Sequence, residues 1–343
     1  ESWRSKKTAA ERDADARRQI ELASQAAIEA GITTFADAGS PFTTIDLFKQ
    51  VASEGKLPIR LWAMVRDSND NIRAKMAQYK AVGLYDNHLT IAAIKVVADG
   101  ALGSRGAWML EPYADSPASV GLPTTPTETI AETARLAIEN GVQLCTHCIG
   151  DRANRETLNI YERAMKTRPE LKDLRWRIEH AQHISAQDIP RFGQLGVIAS
   201  MQGIHATSDA PYVLARLGPK RAGEGAYPWQ KLMKSGAIIA NGTDVPVERI
   251  DPMANFYATV TRKTKDGSVF FGDQKMSRAE ALKSYTWNGA FAAKEDTIKG
   301  SLTAGKLADI TVLSQDIMTI PENQIPSTKV SYTIIGGKIA YSR

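Results

Sequence analysis

Four polar residues interrupt or end apolar runs where chemistry is expected. Lys95 sits inside IAAIKVV, His147 ends VQLCTH, His180 ends WRIEH and Asp244 ends AIIANGTD. Two imidazoles and a carboxylate brought to one place make a divalent-metal site. A metal there lowers the pKa of bound water and polarises a carbonyl. Taken singly, each residue has a plainer reading. A histidine at a strand end is more often a hydrogen-bonded structural residue, and aspartate in GTDVP is a common turn former and cap. Lys95 is harder to set aside, because a bare ammonium in an apolar run is costly. It needs a partner, a shifted pKa or a chemical modification.

Other residues stand nearby in the chain. His205 follows VIASMQGI and can face the same cavity. His183 lies three residues past His180, off the strand face, and reads as a loop hydrogen-bonder, while His88 reads as a surface loop residue. The segment 98–126 is a long loop with four glycines and four prolines, and it carries Arg105 and Trp108. Long ordered loops are usually lids or binding loops, so Arg105, Trp108 and His205 are candidate substrate contacts. Cys145 and Cys148 form C-x-x-C, but on a strand positions three apart face opposite sides. They read as two small buried hydrophobes rather than a redox pair.

These residues need a scaffold that presents strand ends together. Strand-like runs at 32–37, 58–65, 89–100, 142–148, 174–182, 197–202 and 237–244 alternate with helical segments. The helices carry local signals: Gly31 closes the helix Arg18–Ala30, Thr125-Pro126-Thr127-Glu128 reads as a capping box, and Asp251-Pro252 opens a late helix. Seven strand–helix repeats predict a parallel α/β sheet, and the number points to a (β/α)8 TIM-type barrel one strand short. An open doubly wound sheet is the other reading, but its G-x-G-x-x-G fingerprint is absent. The domain reading is 1–298 for the barrel and 299–343 for a small β module. That module has short strands at 308–313, 330–335 and 338–342, with Gly336-Gly337 as a hairpin turn. Three short strands are marginal alone, so they must pair with other strands or pack on the barrel.

Composition excludes some classes. The 343 residues are 43% hydrophobic and 24% charged, enough for a sizeable core. The net charge of +5 is mild and scattered, which argues against nucleic-acid binding. No apolar run is long enough to span a membrane. The chain starts at Glu1 with a polar stretch that reads as a helix entry, not a leader.

The segments AGITTFADAG, IKVVADGALGSRGAW, HCIGDRAN, RWRIEHAQHI, SMQGIH, NGTDVPVE and KGSLTAGKLADITVL resemble the amidohydrolase superfamily. Within it they are similar to the YtcJ-like branch (amidohydrolase family 3), which includes N-substituted formamide deformylases. The resemblance implies a (β/α)8 barrel with a β-sandwich built from both chain ends. It implies one or two divalent metals, usually zinc, with Lys95 in the place of a CO2-carbamylated bridging lysine. His147 and His180 match metal ligands, and Asp244 matches a metal contact and proton shuttle. The family's first strand carries His-x-His, which this sequence lacks. The resemblance therefore implies strands 2–8 of the barrel and only the C-terminal part of the sandwich, with the rest upstream of Glu1.

The leading functional expectation is hydrolysis of a non-peptide C–N bond in a small amide- or formamide-type substrate. Metal-activated water attacks the carbonyl, and Asp244 takes the proton and passes it to the leaving nitrogen. The alternatives are a truncated, non-catalytic fragment or pseudoenzyme, and a Schiff-base lyase with Lys95 as nucleophile. Open strand edges invite association, so a homo-oligomer is also expected. The compartment reading favours the cytoplasm, with a secreted or periplasmic location left open by the upstream region.

Overall fold

The computed structural model describes residues 7–343. A long helix, Ala9–Glu29, begins at a capping box in which the Thr8 side chain accepts from Glu11 N and the Glu11 side chain accepts from Thr8 N. Residues 1–6 of the expected helix entry lie outside the described residues.

Seven parallel strands follow: β1 (Thr34–Ser40), β2 (Arg60–Val65), β4 (Leu89–Val97), β5 (Gln143–Cys148), β6 (Arg177–His180), β7 (Ile198–Met201) and β8 (Ile239–Asn241). They pair in that order, and the short β3 (Ala81–Gly83) adds an antiparallel partner to β4. Helices such as Thr127–Asn140 and Asp151–Thr167 connect them on the outer face. The expected parallel α/β architecture is present, and every predicted strand run overlaps an observed strand. Among the described residues no pairing joins β1 to β8.

Register decides which side chains meet. Lys95 pairs with Cys145 and Cys145 with Arg177, while His147 pairs with Val97 and Glu179. These rungs place Lys95 one level below His147. The inner face packs Trp62, Met64, Ala93 and Cys145 together, while Cys148 joins the larger core between strands and helices. The two cysteines are free and fully buried on opposite faces, as the strand period requires.

One local expectation needs correction. Thr125 forms no capping box: the helix starts after Pro126, with no side-chain cap. Late in the chain, the helix Arg278–Tyr285 is followed by a separate helix, Trp287–Ala292. The Ser277 capping box itself forms, and the Asp251 side chain caps its helix by accepting from Ala254 N.

The tail is a three-stranded antiparallel sheet of β9 (Ile310–Leu313), β10 (Val330–Ile335) and β11 (Lys338–Ser342). Gly336 and Gly337 have φ of 58° and 77°, the left-handed geometry of a tight hairpin. This sheet packs on the barrel's first helix and on β2. Arg60 donates to both carboxylate oxygens of Asp309 at 2.6 and 3.0 Å, and both side chains are buried. Thr333 Oγ1 donates to Ile28 O at 2.7 Å. Gly31 has φ of 81°, and a Cβ there would fall 2.6 Å from Thr311 Cγ2. No helix among the described residues is long and apolar enough to cross a membrane.

Arg60→Ala should therefore destabilise the chain by roughly 3–5 kcal/mol, because it strands a buried Asp309 carboxylate. Replacing both partners with Met and Leu should cost less than Arg60→Ala alone. Urea unfolding of the three variants checks the order. Equal losses for single and double variants would show that the pair does not couple the tail to the barrel.

Candidate metal centre

The sequence candidates converge at the C-terminal ends of the strands, but not all on one point. Ligand atoms of His180, His205 and Asp244 lie within 4.8 Å of one another. His205 therefore joins the cluster as a third donor, where the sequence suggested only a substrate contact. His147 stands beside it, with its ring centroid 4.5 Å from that of His180 in an edge-to-face arrangement. Lys95 is buried on the rung below and belongs to neither group.

The backbone bends to make this cluster. His180 ends β6 with φ of 73°, Ala181 follows at 45°, and Asp244 has φ of 59°. Each is a non-glycine residue in the left-handed region, at roughly 1–2 kcal/mol apiece. Such conformations persist where the surrounding fold enforces them and cluster at functional sites. Asp244 is also three residues past the end of β8, so a turn, not the strand, sets its position.

Neighbouring side chains orient the donors. His180 Nδ1 donates to Gln202 Oε1 at 2.8 Å, which leaves Nε2 with its lone pair. Gln182 Nε2 donates to His205 Nδ1 at 2.9 Å. Reversing that amide end for end moves the His205 proton to Nδ1 and frees Nε2 as a donor. His205 Nε2 lies 3.6 Å from Asp244 Oδ2. Among the described residues, both His147 Nε2 and His205 Nε2 are buried with no hydrogen-bond partner.

Electrostatics keep the rings neutral. Burial pushes His180 down to about 3 and His147 down to about 2, helped in both cases by neighbouring positive groups. Burial raises the Asp244 carboxyl above its usual range, opposed by His205 and Lys95. Imidazoles, a carboxylate and the unsatisfied His205 Nε2 make a donor set that a divalent ion takes. The residues fit such an ion.

The floor beneath the cluster is charged. Arg177 Nε donates to Glu179 Oε1 at 2.7 Å, and the Arg177 guanidinium lies 4.9 Å from the Trp62 ring centroid. Burial alone would raise Glu179, but Arg177 and Lys95 hold it at about 2. Glu179 is thus already paired, and among the described residues no carboxylate is within ion-pair distance of Lys95. Burial lowers the Lys95 pKa, with Glu179 only partly opposing it.

The long loop is a fixed wall rather than a free lid. Arg105 donates to both oxygens of Asp115 at 3.1 Å, and Arg216 also binds Asp115. Arg221 donates to the carbonyls of Glu111 and Pro112 at 3.0 and 2.7 Å. The Arg105 guanidinium is thereby occupied within the wall. Trp108 is half-buried under the Arg152 guanidinium, at 4.7 Å from the ring centroid. Neither residue is part of the three-residue cluster.

Sequence reasoning missed several positions. Gln202 in SMQGIH, Gln182 in EHAQH and Glu179 each sit in motifs that the sequence singled out only for their histidines. Asp99 was also overlooked, although ADG directly follows the Lys95 strand. His183 was misread: it is fully buried, and neither ring nitrogen has a hydrogen-bond partner. Its backbone does the bonding instead, with N donating to Ile149 O at 3.0 Å and O accepting from Asn154 Nδ2 at 3.2 Å. His88 is half-buried, and its Nδ1 meets Ile59 O at 3.2 Å.

Burial holds His183 at about 3 in the fold, whereas an unfolded histidine titrates near 6.5. The unfolded chain therefore binds more protons between those values, and stability must fall as pH drops below about 6.5. The loss is about 1.4 kcal/mol per pH unit for each such histidine. His147 and His180 add to it in metal-free protein. Urea unfolding of metal-free protein at pH 7.5, 6 and 5 should show this decline, and His183→Gln should flatten it by about one proton. A stability that stays level from pH 7.5 to 5 would contradict the buried neutral rings.

Comparison with known proteins gives consistent relatives. The profile of the amidohydrolase family matches residues 3–341. Protein LONG AFTER FAR-RED 3 of Arabidopsis thaliana is 33% identical over 338 residues, covering 93% of this chain and 56% of its own length. A putative amidohydrolase, YtcJ, of Bacillus subtilis is 31% identical over 299 residues, covering 86% of this chain and 55% of its own. The crystal structure of an uncharacterized metal-dependent hydrolase from Pyrococcus horikoshii superposes with a TM-score of 0.79 at 27% identity. That alignment covers 91% of this chain and 62% of the other. The chain thus spans about half the length of the curated relatives it matches.

Proposed function

The chain belongs to the amidohydrolase family, in its YtcJ-like branch, and on that premise we propose that it carries the active-site half of a metal-dependent hydrolase acting on an amide-type C–N bond. The observation that carries this reading is the convergence of His180, His205 and Asp244 within 4.8 Å at the strand ends. His147 stands next to that group. Zinc is the ion proposed, since three nitrogen and oxygen donors with an open position are its usual catalytic setting.

When bound, the ion lowers the pKa of water and polarises the scissile carbonyl. His180, His205 and Asp244 would hold it, with His147 beside them. Gln202 fixes the His180 ring, and the Gln182 amide fixes the His205 ring. Asp244 is the residue that moves a proton. Its carboxyl is half-buried and raised above its usual range, so it takes a proton more readily than a solvated aspartate. It then returns that proton to the departing nitrogen, which otherwise leaves as a poor amide anion.

Lys95 has a separate part in this reading. Its buried amine has a lowered pKa and, among the described residues, no ion-pair partner. A neutral amine adds to CO2 with loss of one proton, giving a carbamate that replaces a buried cation with an anion. In that form Lys95 is proposed as a ligand of a second ion.

The test loads the chain with zinc and assays it on a panel of N-substituted formamides and simple acyl amides. Asp244→Asn should lower turnover by roughly 10²–10⁴, the range for general acid–base groups, with zinc still bound. Turnover within a few-fold of wild type would remove Asp244 from proton transfer. Full activity after exhaustive chelation would overturn the metal-dependent reading.

A further inference from the structure

Asp99 is the most completely coordinated buried carboxylate beside the cluster, and the function proposed above leaves it unused. It is 1% exposed and follows directly from the strand that carries Lys95. Its Oδ2 accepts from Trp108 N and Gly150 N, both at 2.8 Å. Its Oδ1 accepts from Ile149 N at 2.9 Å and lies 3.7 Å from His147 Nε2. Three backbone donors from two separate chain segments therefore converge on one side chain.

Those two segments are the long wall loop and the turn that follows β5. They are tied further by Arg152 N and Ala153 N, which donate to Trp108 O at 3.1 and 3.2 Å. A Cβ on Gly150 would fall 2.1 Å from Trp108 O, so only glycine permits the approach. Asp99 sits at the centre of this junction, with the His147 ring facing it.

We propose that Asp99 is a positioning residue that fixes the tautomer and orientation of His147. A carboxylate oxygen facing Nε2 favours the proton on that nitrogen, which leaves the lone pair on Nδ1. Nε2 is sealed from solvent, and the His147 ring stands edge-to-face against the His180 ring with centroids 4.5 Å apart. A carboxylate that closes on such a nitrogen orients the ring and raises its basicity toward a metal; here it stands at 3.7 Å, within ion-pair but not hydrogen-bond distance. The same carboxylate clamps the wall loop, so one side chain couples loop position to the His147 ring. The inference rests on the hydrolase reading only for what His147 would hold.

The chain has five histidines, so selective ¹⁵N-histidine labelling and single substitutions assign the rings. In metal-free wild-type protein, long-range ¹H–¹⁵N correlation should show His147 protonated at Nε2 and bare at Nδ1. Asp99→Asn should mix the two tautomers and weaken zinc binding by roughly 10–100-fold in a chelator competition. His147→Gln alone should weaken zinc binding to a similar degree, and adding Asp99→Asn to it should then have little further effect. A wild-type His147 carrying its proton on Nδ1 would overturn the proposal even if no Asp99 variant folds. Unchanged zinc affinity in Asp99→Asn would overturn it as well. If wild-type protein binds no zinc, the hydrolase reading fails, and the tautomer alone decides this one.

Discussion

Burial of ionisable side chains is the constraint on which the strand ends depend. The inner face of the sheet holds Lys95, Arg177, Glu179, His147 and His180 in a space that disfavours charge. Each group answers that constraint differently. Arg177 and Glu179 keep their charges by pairing at 2.7 Å. The histidines give theirs up and become neutral donors. Lys95 finds no free carboxylate, because Glu179 is taken. A strongly ionised pair thus sits one layer below a set of neutral, unsatisfied nitrogens, and that contrast is what suits the mouth to a cation.

The mouth is held in shape by groups that do not touch the reacting centre. The sheet supplies register, so Lys95, Cys145 and Arg177 share one rung and His147 and Glu179 the next. The turns supply direction, through left-handed backbone at His180 and Asp244. The wall loop is bolted down by Arg216 and Arg221 on one side and by Asp99 on the other. At the opposite end, the buried Arg60–Asp309 pair fixes the tail sheet against β2. The site is therefore built on rigid elements, with loop strain confined to two of its ligand positions.

Much of this was legible in the residues. Apolar runs of strand length gave all seven parallel strands, and polar residues at their ends marked His147, His180 and Asp244. Period-two alternation was enough to separate Cys145 from Cys148. What escaped was whatever depends on backbone conformation or long-range contact. A non-glycine residue in left-handed geometry, such as His180, has no sequence mark. His205 lies on a short helix after β7, so its approach to Asp244 could not be read from strand logic. Asp99 is an ordinary-looking aspartate whose three backbone partners lie 9, 50 and 51 residues away. His183 reads as a loop hydrogen-bonder because it lies three residues past His180, and spacing alone does not show that its ring is buried while its backbone bonds to Ile149 and Asn154.

The central claim is that His180, His205 and Asp244 jointly bind one divalent ion. Cobalt(II) titration tests it most directly, because the visible d–d bands report coordination number and ligand type without any substrate. Wild-type protein should give a saturable spectrum of low-coordinate, nitrogen- and oxygen-ligated cobalt at one equivalent, displaced by zinc. His205→Ala and His180→Ala should each abolish or weaken it. A spectrum that is unchanged in both variants, or cobalt that stays fully hydrated in the wild type, would contradict the account.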